Sequence, residues 1–394
     1  MITVIGYDGS PLSAEAAKAL VSATLVVGGR RHLDAVSVPA GARTVVIGDV
    51  TAALDVLAGH DGDAVVLASG DPGFFGIVRT LRERRLDLAV VPAVSSAALA
   101  FARARLSWDD ALVVSAHGRD LRPAVNACRA YPKVAVLTAP GAGPAELGAA
   151  LAGLPRLLVV GECLGTPDER VSECSPADAA TRTWQDPNVV VVLGEQRLYS
   201  ARGWRWPQQT TPNGWALPED AFEHRDSIVT KAEVRALALA HLAPRVGILM
   251  WDVGAGSGSV GIECARFGAA VIAVDRDPQQ RTRIKANACR HGVDVQIVEA
   301  VAPAALDGLP EPDAVFVGGG GSAVVAAAAA RGPARIVVAL AALERVGPTC
   351  KALASARYAV DGVTLQASRL ASLPDGAHRL AATNPVVLVW GKRP

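Results

Sequence analysis

Short, continuous apolar runs alternate with longer amphipathic segments along almost the whole chain. Runs such as Ala64–Ala68, Leu88–Val91 and Val189–Leu193 lack the polar residue at every second position that marks a strand with one wet face. Continuous runs of this kind are typical of strands that are buried on both faces. Segments between them, such as Ser13–Ser22, have the spacing of helices. The alternation therefore predicts an α/β fold.

The alternating pattern of the sequence is interrupted once, near the middle of the chain. With 394 residues, 51% of them hydrophobic, the chain can bury two cores. Residues 197–226 contain three tryptophans and three prolines without any period, which indicates a linker or docking arm. A second α/β series follows, with a helix predicted over Val229–Leu242 and then seven strands, the number in one complete doubly wound sheet. We predict a first domain over 1–196, a linker over 197–219 and a second domain over 220–394.

Charge and cysteine usage exclude several classes of function. The 39 basic and 38 acidic residues give a net charge of +1, which argues against a nucleic-acid-binding surface. The six cysteines form no C-x-x-C pair and no zinc-ligand spacing, so we predict reduced thiols and no metal site. The chain opens on a strand-like run without a basic leader, and no run of about 18 apolar residues occurs. These features predict a cytoplasmic protein without a membrane span.

The sharpest local motif is D-x-G-x-G-x-G, from Asp252 to Gly258, between an apolar strand and a predicted helix over Val260–Arg266. Glycines allow a tight turn and a close approach to a ligand, and the helix that follows offers unpaired N–H groups. A dinucleotide fold requires G-x-G-x-x-G, but the sixth position counted from Gly254 is Ser259. Asp252 would repel a pyrophosphate, whereas it suits the ammonium group of S-adenosylmethionine.

The next strand ends at Asp275, where a carboxylate can accept hydrogen bonds from both ribose hydroxyls of an adenosine cofactor. Asp275 therefore supports a nucleoside without distinguishing one cofactor from another. Two alternatives stay open from these residues alone: an NAD-dependent oxidoreductase that uses the same loop, and an ordinary strand-to-helix turn without a ligand. Loop spacing and Asp252 favour S-adenosylmethionine over NAD.

With these residues identified, the chain resembles a known family, the precorrin-6Y C5,15-methyltransferases (decarboxylating) of the cobalamin pathway. In the second half, the resemblance rests on the glycine motif, on residues 224–235 and on two closing segments, N-P-V at 384–386 and W-G at 390–391. In the first half, Ser69–Gly76 resembles the S-G-D-P loop of the tetrapyrrole methylases, and Val91–Ser96 resembles their P-G-x-S-S turn. Ser115–Arg119 and Glu162–Arg170 resemble further stretches of that module. The resemblance covers nearly the whole chain, and the order of the two modules makes it specific.

The resemblance implies an N-terminal tetrapyrrole-methylase-like α/β domain followed by a Rossmann-like, seven-stranded class I methyltransferase domain. It implies methylation of a reduced tetrapyrrole, precorrin-6B, at C5 by the first domain. The second domain would methylate C15 and remove carbon dioxide from the acetate on C12. It further implies one S-adenosyl-L-methionine per domain, a tetrapyrrole as the small-molecule partner and self-association into a homo-oligomer.

The resemblance also carries cofactor-binding positions onto this chain by motif. In the second domain, beside Asp252, they are Thr230, Gly254, Ala255, Gly256, Ser257, Gly258, Asp275 and Ala302. In the first domain they are Gly70, Asp71, Gly76, Ser95 and Ser96.

The substrate carries many carboxylates, so basic residues should line its cleft, and His117 and Arg119 are candidates. No catalytic residue is identified, because methyl transfer from a sulfonium mainly needs alignment and exclusion of water. Two departures from the family pattern are Ala93, where glycine is usual, and Val301, where an acidic residue is usual. They keep a third alternative open, a two-domain scaffold whose cofactor sites have decayed.

Overall fold

The structure is a computed structural model, and it describes residues 1–48, 50–194, 214–225 and 229–393. The chain divides into two compact units. Unit 1 comprises Met1–Leu121 and Lys133–Trp204, and unit 2 comprises Arg122–Pro132 and Arg205–Pro394. Within the described ranges, no helix has both the length and the apolar character needed to cross a membrane.

The first sheet is parallel throughout, with the strand order β3-β2-β4-β1-β5. Apolar side chains are buried on both of its faces, one around Leu25 and Val66 and the other around Ile5 and Leu67. Because the strands are parallel, the loops after β1, β4 and β5 leave from the same edge. The elements are β1 (Ile2–Tyr7), α1 (Ala14–Ser22), β2 (Leu25–Gly28), α2 (Arg30–Ala35), β3 (Arg43–Val46), α3 (Val50–Ala58), β4 (Ala64–Ser69), α4 (Val78–Glu83), β5 (Leu88–Val91) and α5 (Ser96–Ala104).

The second sheet is mixed, with the strand order β6-β7-β10-β8-β9. Only β6 and β7 pair in parallel, and the remaining pairs are antiparallel. Its core contains Val113, Ala135, Val159 and Val191, packed against Phe101 of α5. The elements are β6 (Leu112–Ser115), α6 (Arg122–Ala130), β7 (Lys133–Leu137), α7 (Pro144–Leu151), β8 (Arg156–Glu162), β9 (Arg170–Cys174), α8 (Pro176–Thr181) and β10 (Asn188–Gly194).

The third sheet has seven strands in the order β13-β12-β11-β14-β15-β19-β16, and a separate hairpin pairs β17 with β18. The first five strands are parallel, and β19 is antiparallel to both of its neighbours. This is the doubly wound, seven-stranded sheet that the sequence predicts. The elements are α9 (Ala232–Leu242), β11 (Leu249–Val253), α10 (Ser259–Arg266), β12 (Ala270–Val274), α11 (Pro278–Arg290), β13 (Gln296–Val298), β14 (Ala314–Val317), α12 (Gly321–Ala330), β15 (Arg335–Leu340), α13 (Val346–Ser355), β16 (Ala359–Leu365), β17 (Ser368–Ser372), β18 (His378–Ala382) and β19 (Val386–Lys392).

Three details differ from the sequence prediction. The helix predicted from Val229 begins at Ala232, because Lys231 has extended backbone angles and forms its N-cap. Strand β9 and the hairpin of β17 and β18 were not predicted, since they are mostly exposed and lack a continuous apolar run. Of the predicted linker, only residues 214–219 lie within the described ranges.

Candidate functional site

The glycine loop, residues 254–258, connects β11 to α10 and is fastened to the end of β12. The N–H of Gly254 donates to the carbonyl of Val274 at 2.9 Å. The N–H of Gly256 donates to Oδ2 of Asp275 at 2.8 Å, and the N–H of Asp277 donates to Oδ1 at 2.9 Å. The structure therefore brings together the loop and the carboxylate that the sequence assigned to one cofactor. Each oxygen of Asp275 keeps lone pairs that can accept further donors.

Gly256 leaves open space at the point where the loop meets Asp275. Its φ is +57°, and a Cβ built on it would meet no heavy atom within 4 Å. Gly254 is different, because a Cβ there would lie 2.9 Å from the backbone nitrogen of Gly319. The residues present fit S-adenosylmethionine in this respect: the loop is closed on its protein side and open on the side where a ligand would lie.

Asp252 is deeper than the sequence suggested. Its side chain is 1% exposed, and Oδ2 accepts the N–H of Gly261, in the first turn of α10, at 2.8 Å. Oδ1 has no partner among the described residues. Burial, and to a smaller extent the nearby Asp275, raise the pKa of Asp252 to about 7, against the lowering effect of the Gly261 hydrogen bond. A cation beside Oδ1 would favour the ionised carboxylate.

The Asp252→Asn variant is expected to flatten the pH dependence of stability. Because the folded-state pKa of about 7 exceeds the ordinary value of 3.8, the folded protein binds more protons between about pH 4 and 7, so stability falls as pH rises through that window. The amide cannot ionise, so the ligand-free variant should be more stable than wild type at pH 8, by on the order of a few kcal/mol, and similar near pH 4. Thermal unfolding of the full chain at both pH values measures this.

The same substitution should weaken cofactor binding, because the carboxylate that favours an ammonium group is gone. The rise in melting temperature caused by S-adenosylhomocysteine should therefore be smaller in Asp252→Asn than in wild type at pH 8. If the stability of the ligand-free wild type and variant changed equally with pH between pH 4 and 7, the assignment of the shifted pKa to Asp252 would be contradicted.

Residues outside the motif hold the loop in place, and the sequence analysis did not single them out. Asn287 on α11 donates to the carbonyl of Ser257 at 2.9 Å and accepts the N–H of Glu223 at 2.7 Å. Arg235 and Glu263 form a fully buried ion pair at 2.8 Å. Asn287 has no local sequence signal, because α11 reads as an ordinary polar helix.

No hydrogen bond between described residues joins the remaining predicted positions of the second domain to this loop. Thr230 precedes α9, and its carbonyl accepts a hydrogen bond from Arg235. Ala302 packs against the hydrophobic core that contains Val274. Val301 is 61% exposed, so its side chain is not used in packing. The structure places these residues and leaves their roles as predictions.

In the first domain, the loops after β1, β4 and β5 converge at Gly6. A Cβ on Gly6 would lie 2.2 Å from the carbonyl oxygen of Gly70 and 2.6 Å from the nitrogen of Ala93, so only glycine fits. A Cβ on Gly70 would lie 3.1 Å from Cα of Ser95 and 3.2 Å from the nitrogen of Ser96. The S-G-D-P loop and the P-A-V-S-S turn, predicted from separate motifs, are therefore in contact.

A cavity of about 330 Å³ opens at this edge of the sheet, lined by the loop after β1, the start of α1 and residues 91–94. Asp8 lies in its wall and accepts the backbone N–H groups of Ser10 at 3.0 Å and Val94 at 3.1 Å. Burial raises the pKa of Asp8, but these hydrogen bonds outweigh it and the net direction is down. The sequence analysis did not single out Asp8, so its role in joining two loops was missed.

The predicted side chains of the first domain are mostly engaged locally. Asp71 accepts the N–H of Gly73 at 2.8 Å, and Ser95 caps α5 by accepting the N–H of Ala98 at 3.2 Å. Arg119 places its guanidinium 5.8 Å from the centre of the Phe75 ring, in the Ser69–Gly76 loop. Arg119 therefore lies beside the loop that the resemblance assigns to the cofactor cleft, and its substrate-binding role stays a prediction.

His117 and Gly76 complete the predicted set in the first domain. The backbone N–H of His117 donates to Oγ of Ser115 at 3.3 Å. A Cβ on Gly76 would lie 2.2 Å from the carbonyl oxygen of Pro72, so the end of the loop folds back on its start. The structure gives His117 no contact with that loop and leaves its role a prediction.

Two family models match the chain, one for each domain. The model described as tetrapyrrole (corrin/porphyrin) methylases matches residues 6–180. The model described as a precorrin methyltransferase domain matches residues 220–387. With the third sheet and its glycine loop, they define a two-domain methyltransferase that depends on S-adenosylmethionine.

Named relatives identify the family within this class of methyltransferases. The chain is 39% identical over 333 residues to the precorrin-6Y C(5,15)-methyltransferase [decarboxylating] of Sinorhizobium sp, a match that covers 80% of this chain and 77% of the relative. The chain therefore belongs to the precorrin-6Y C5,15-methyltransferase (decarboxylating) family. The relatives give no support to an NAD-dependent oxidoreductase or a decayed scaffold.

Two shorter relatives match part of the chain. The cobalt-precorrin-7 C(5)-methyltransferase of Salmonella typhimurium is 32% identical over 50% of this chain and 100% of its own length. The probable cobalt-precorrin-6B C(15)-methyltransferase (decarboxylating) of Methanothermobacter thermautotrophicus is 30% identical over 44% of this chain and 95% of its own length.

Proposed function

We propose that this chain methylates precorrin-6B at C5 and C15 and removes carbon dioxide from the C12 acetate, in cobalamin biosynthesis. The single observation that carries the proposal is the glycine loop fastened to Asp275, in a chain that is 39% identical over 80% of its length to a relative named for C5,15 methylation with decarboxylation. We assign the C5 step to the first domain, 1–196, and the C15 step with decarboxylation to the second domain, 220–394. Two separate, shorter relatives named for one step each support this division.

S-adenosylmethionine supplies an electrophilic methyl group, and the chain supplies position. In the second domain, the backbone of residues 254–258 and Asp275 would orient the amino-acid and ribose ends of the cofactor. Oδ1 of Asp252 would face the ammonium group. In the first domain, the three loops that meet at Gly6 would hold a second cofactor above the edge of the sheet. Fixed placement of the methyl group against a ring carbon, with water excluded, accounts for most of the acceleration such a reaction needs.

Self-association, a cytoplasmic location and the lack of a nucleic-acid partner belong to this proposal as well. They are supported by the family resemblance and by the balanced charge of 39 basic and 38 acidic residues. Light scattering of the purified full chain would measure the oligomeric state.

The test is mass analysis of the tetrapyrrole after incubation with the full chain and S-adenosylmethionine. We expect a gain of two methyl groups and the loss of one carbon dioxide, and carbon NMR with methyl-labelled cofactor should place the methyl groups at C5 and C15. Titration calorimetry should find two S-adenosylhomocysteine molecules per chain. A gain of one methyl group, or one cofactor per chain, would contradict the division between domains.

A further inference from the structure

A basic side chain without an assigned role lies at the carboxyl edge of the first sheet. Arg31, in the first turn of α2, donates from Nη2 to Oγ of Ser69 at 2.5 Å and from Nε to Nε2 of His32 at 3.3 Å. Oγ of Ser69 also lies 3.2 Å from Nε2 of His32. The three side chains form a closed cluster, and its serine immediately precedes Gly70 in the cofactor-cleft loop.

His32 fixes the orientation of the guanidinium. The ring is 8% exposed and packs edge-on to Tyr7, with ring centres 6.1 Å apart. Burial and the adjacent Arg31 lower the pKa of His32 to about 4, so the imidazole is neutral near pH 7 and Nε2 accepts. The proton therefore sits on Nδ1, which is buried without a partner among the described residues. A core position would be better filled by an apolar side chain, so the ring is explained by the acceptor that it offers Arg31.

Arg31 has no carboxylate partner among the described residues, in contrast to three other arginines of unit 1. Arg84, Arg103 and Arg170 each form an ion pair with an aspartate or glutamate. In the part of the chain that the structure describes, no carboxylate lies within 4 Å of the Arg31 guanidinium. The residue as a whole is exposed, so its remaining N–H donors can meet a ligand.

Arg31 also lies near two residues on loops next to the second sheet of unit 1. Burial of the guanidinium lowers the pKa of Arg31, and the charges of Cys163 and Asp186 raise it in part. Cys163 directly follows β8 and Asp186 shortly precedes β10, so both lie on loops next to the second sheet. The two sheets meet nearby, because a Cβ on Gly9 would lie 1.9 Å from the carbonyl oxygen of Gly165. A ligand held by Arg31 would thus lie beside the loops that converge on Gly6.

We propose that Arg31 binds a peripheral carboxylate of the tetrapyrrole at the C5 site, with His32 and Ser69 as its positioning residues. The planar guanidinium fork matches a carboxylate in two-point geometry, and two of its donors are already fixed by the protein. The inference rests on the proposed function, because it takes the first domain as the C5 site. The carboxylate of the cofactor's amino-acid end is the competing source, and the experiment separates the two.

The experiment compares Arg31→Gln, Arg31→Lys and His32→Phe in the full chain, with C5 methylation followed by carbon NMR. Arg31→Gln should raise the KM for the tetrapyrrole about 10- to 100-fold with a smaller change in kcat, because a charge-assisted hydrogen bond is lost. Arg31→Lys should recover part of that loss, and His32→Phe should raise KM less than Arg31→Gln. S-adenosylhomocysteine affinity should not change in any of them.

Arg30→Gln is the matched control, because it removes the same charge from the neighbouring exposed position on α2. It should leave KM unchanged, which excludes long-range electrostatic attraction as the cause. Equal KM values for Arg31→Gln and wild type, or a loss of S-adenosylhomocysteine affinity in Arg31→Gln, would overturn the inference. Failure of the proposed function would look different, since wild type itself would then form no C5 methyl product.

Discussion

Replacing Gly256 with alanine is expected to lower C15 methylation and decarboxylation about a hundredfold and to remove one of the two S-adenosylhomocysteine sites. The methyl group would project into the open space beside Asp275, where the cofactor is proposed to lie. A displacement of about 1 Å at a reacting centre is enough for a loss of this size. Single-turnover product analysis and titration calorimetry on the full chain measure the two effects.

Gly292→Ala is the matched control for this substitution. Gly292 also has a left-handed backbone, with φ of +63°, and a Cβ on it would likewise meet nothing within 4 Å. Both variants lose the conformational freedom of glycine and should be destabilised alike, by about 1 kcal/mol. Only Gly256→Ala should lose cofactor binding. Equal activities of the two variants would show that the space beside Asp275 is not part of the site.

The sequence predicted the central strands well, because a strand that is buried on both faces has a continuous run of apolar residues. Strand β10 and strand β12 are buried at every position, so their apolar runs are continuous. Strand β9 lies at the edge of its sheet, and its sequence Arg170–Cys174 mixes exposed charged residues with buried ones. The hairpin of β17 and β18 has no fully buried position and no continuous apolar run. An edge strand with a continuous apolar run, such as β5, was predicted, whereas β9 and the hairpin were missed because they have no such run.

The candidate sites likewise contain some contacts that the sequence predicts and others that it does not. The loop at 254–258 and Asp275 could be predicted as neighbours, because consecutive parallel strands end at the same sheet edge. Contacts such as Asp8 with Val94 or Asn287 with Ser257 join residues far apart in the chain. They depend on strand order and helix packing, which no local motif encodes.

Glu263→Ala should be the most destabilising of the substitutions considered, because it leaves Arg235 charged and unpaired in the protein interior. Both side chains are 0% exposed. Glu263 also accepts the backbone N–H groups of Ala216 and Leu217, each at 2.8 Å. Removing one partner of a buried pair costs about 3–5 kcal/mol. Because Arg235 also donates to the carbonyl of Thr230, cofactor binding by the second domain should weaken as well.

Two further variants make the result interpretable. Glu299→Ala breaks an exposed pair with Arg281, in which the glutamate is 79% exposed, and should change the unfolding free energy by no more than about 1 kcal/mol. The double variant Arg235→Met with Glu263→Leu removes both charges and should be more stable than Glu263→Ala, because no unpaired charge remains. Urea unfolding of the full chain, followed through the transition that S-adenosylhomocysteine shifts, ranks the three. If Glu263→Ala unfolded at the same urea concentration as Glu299→Ala, the buried pair would not be what anchors residues 216–217 and Thr230.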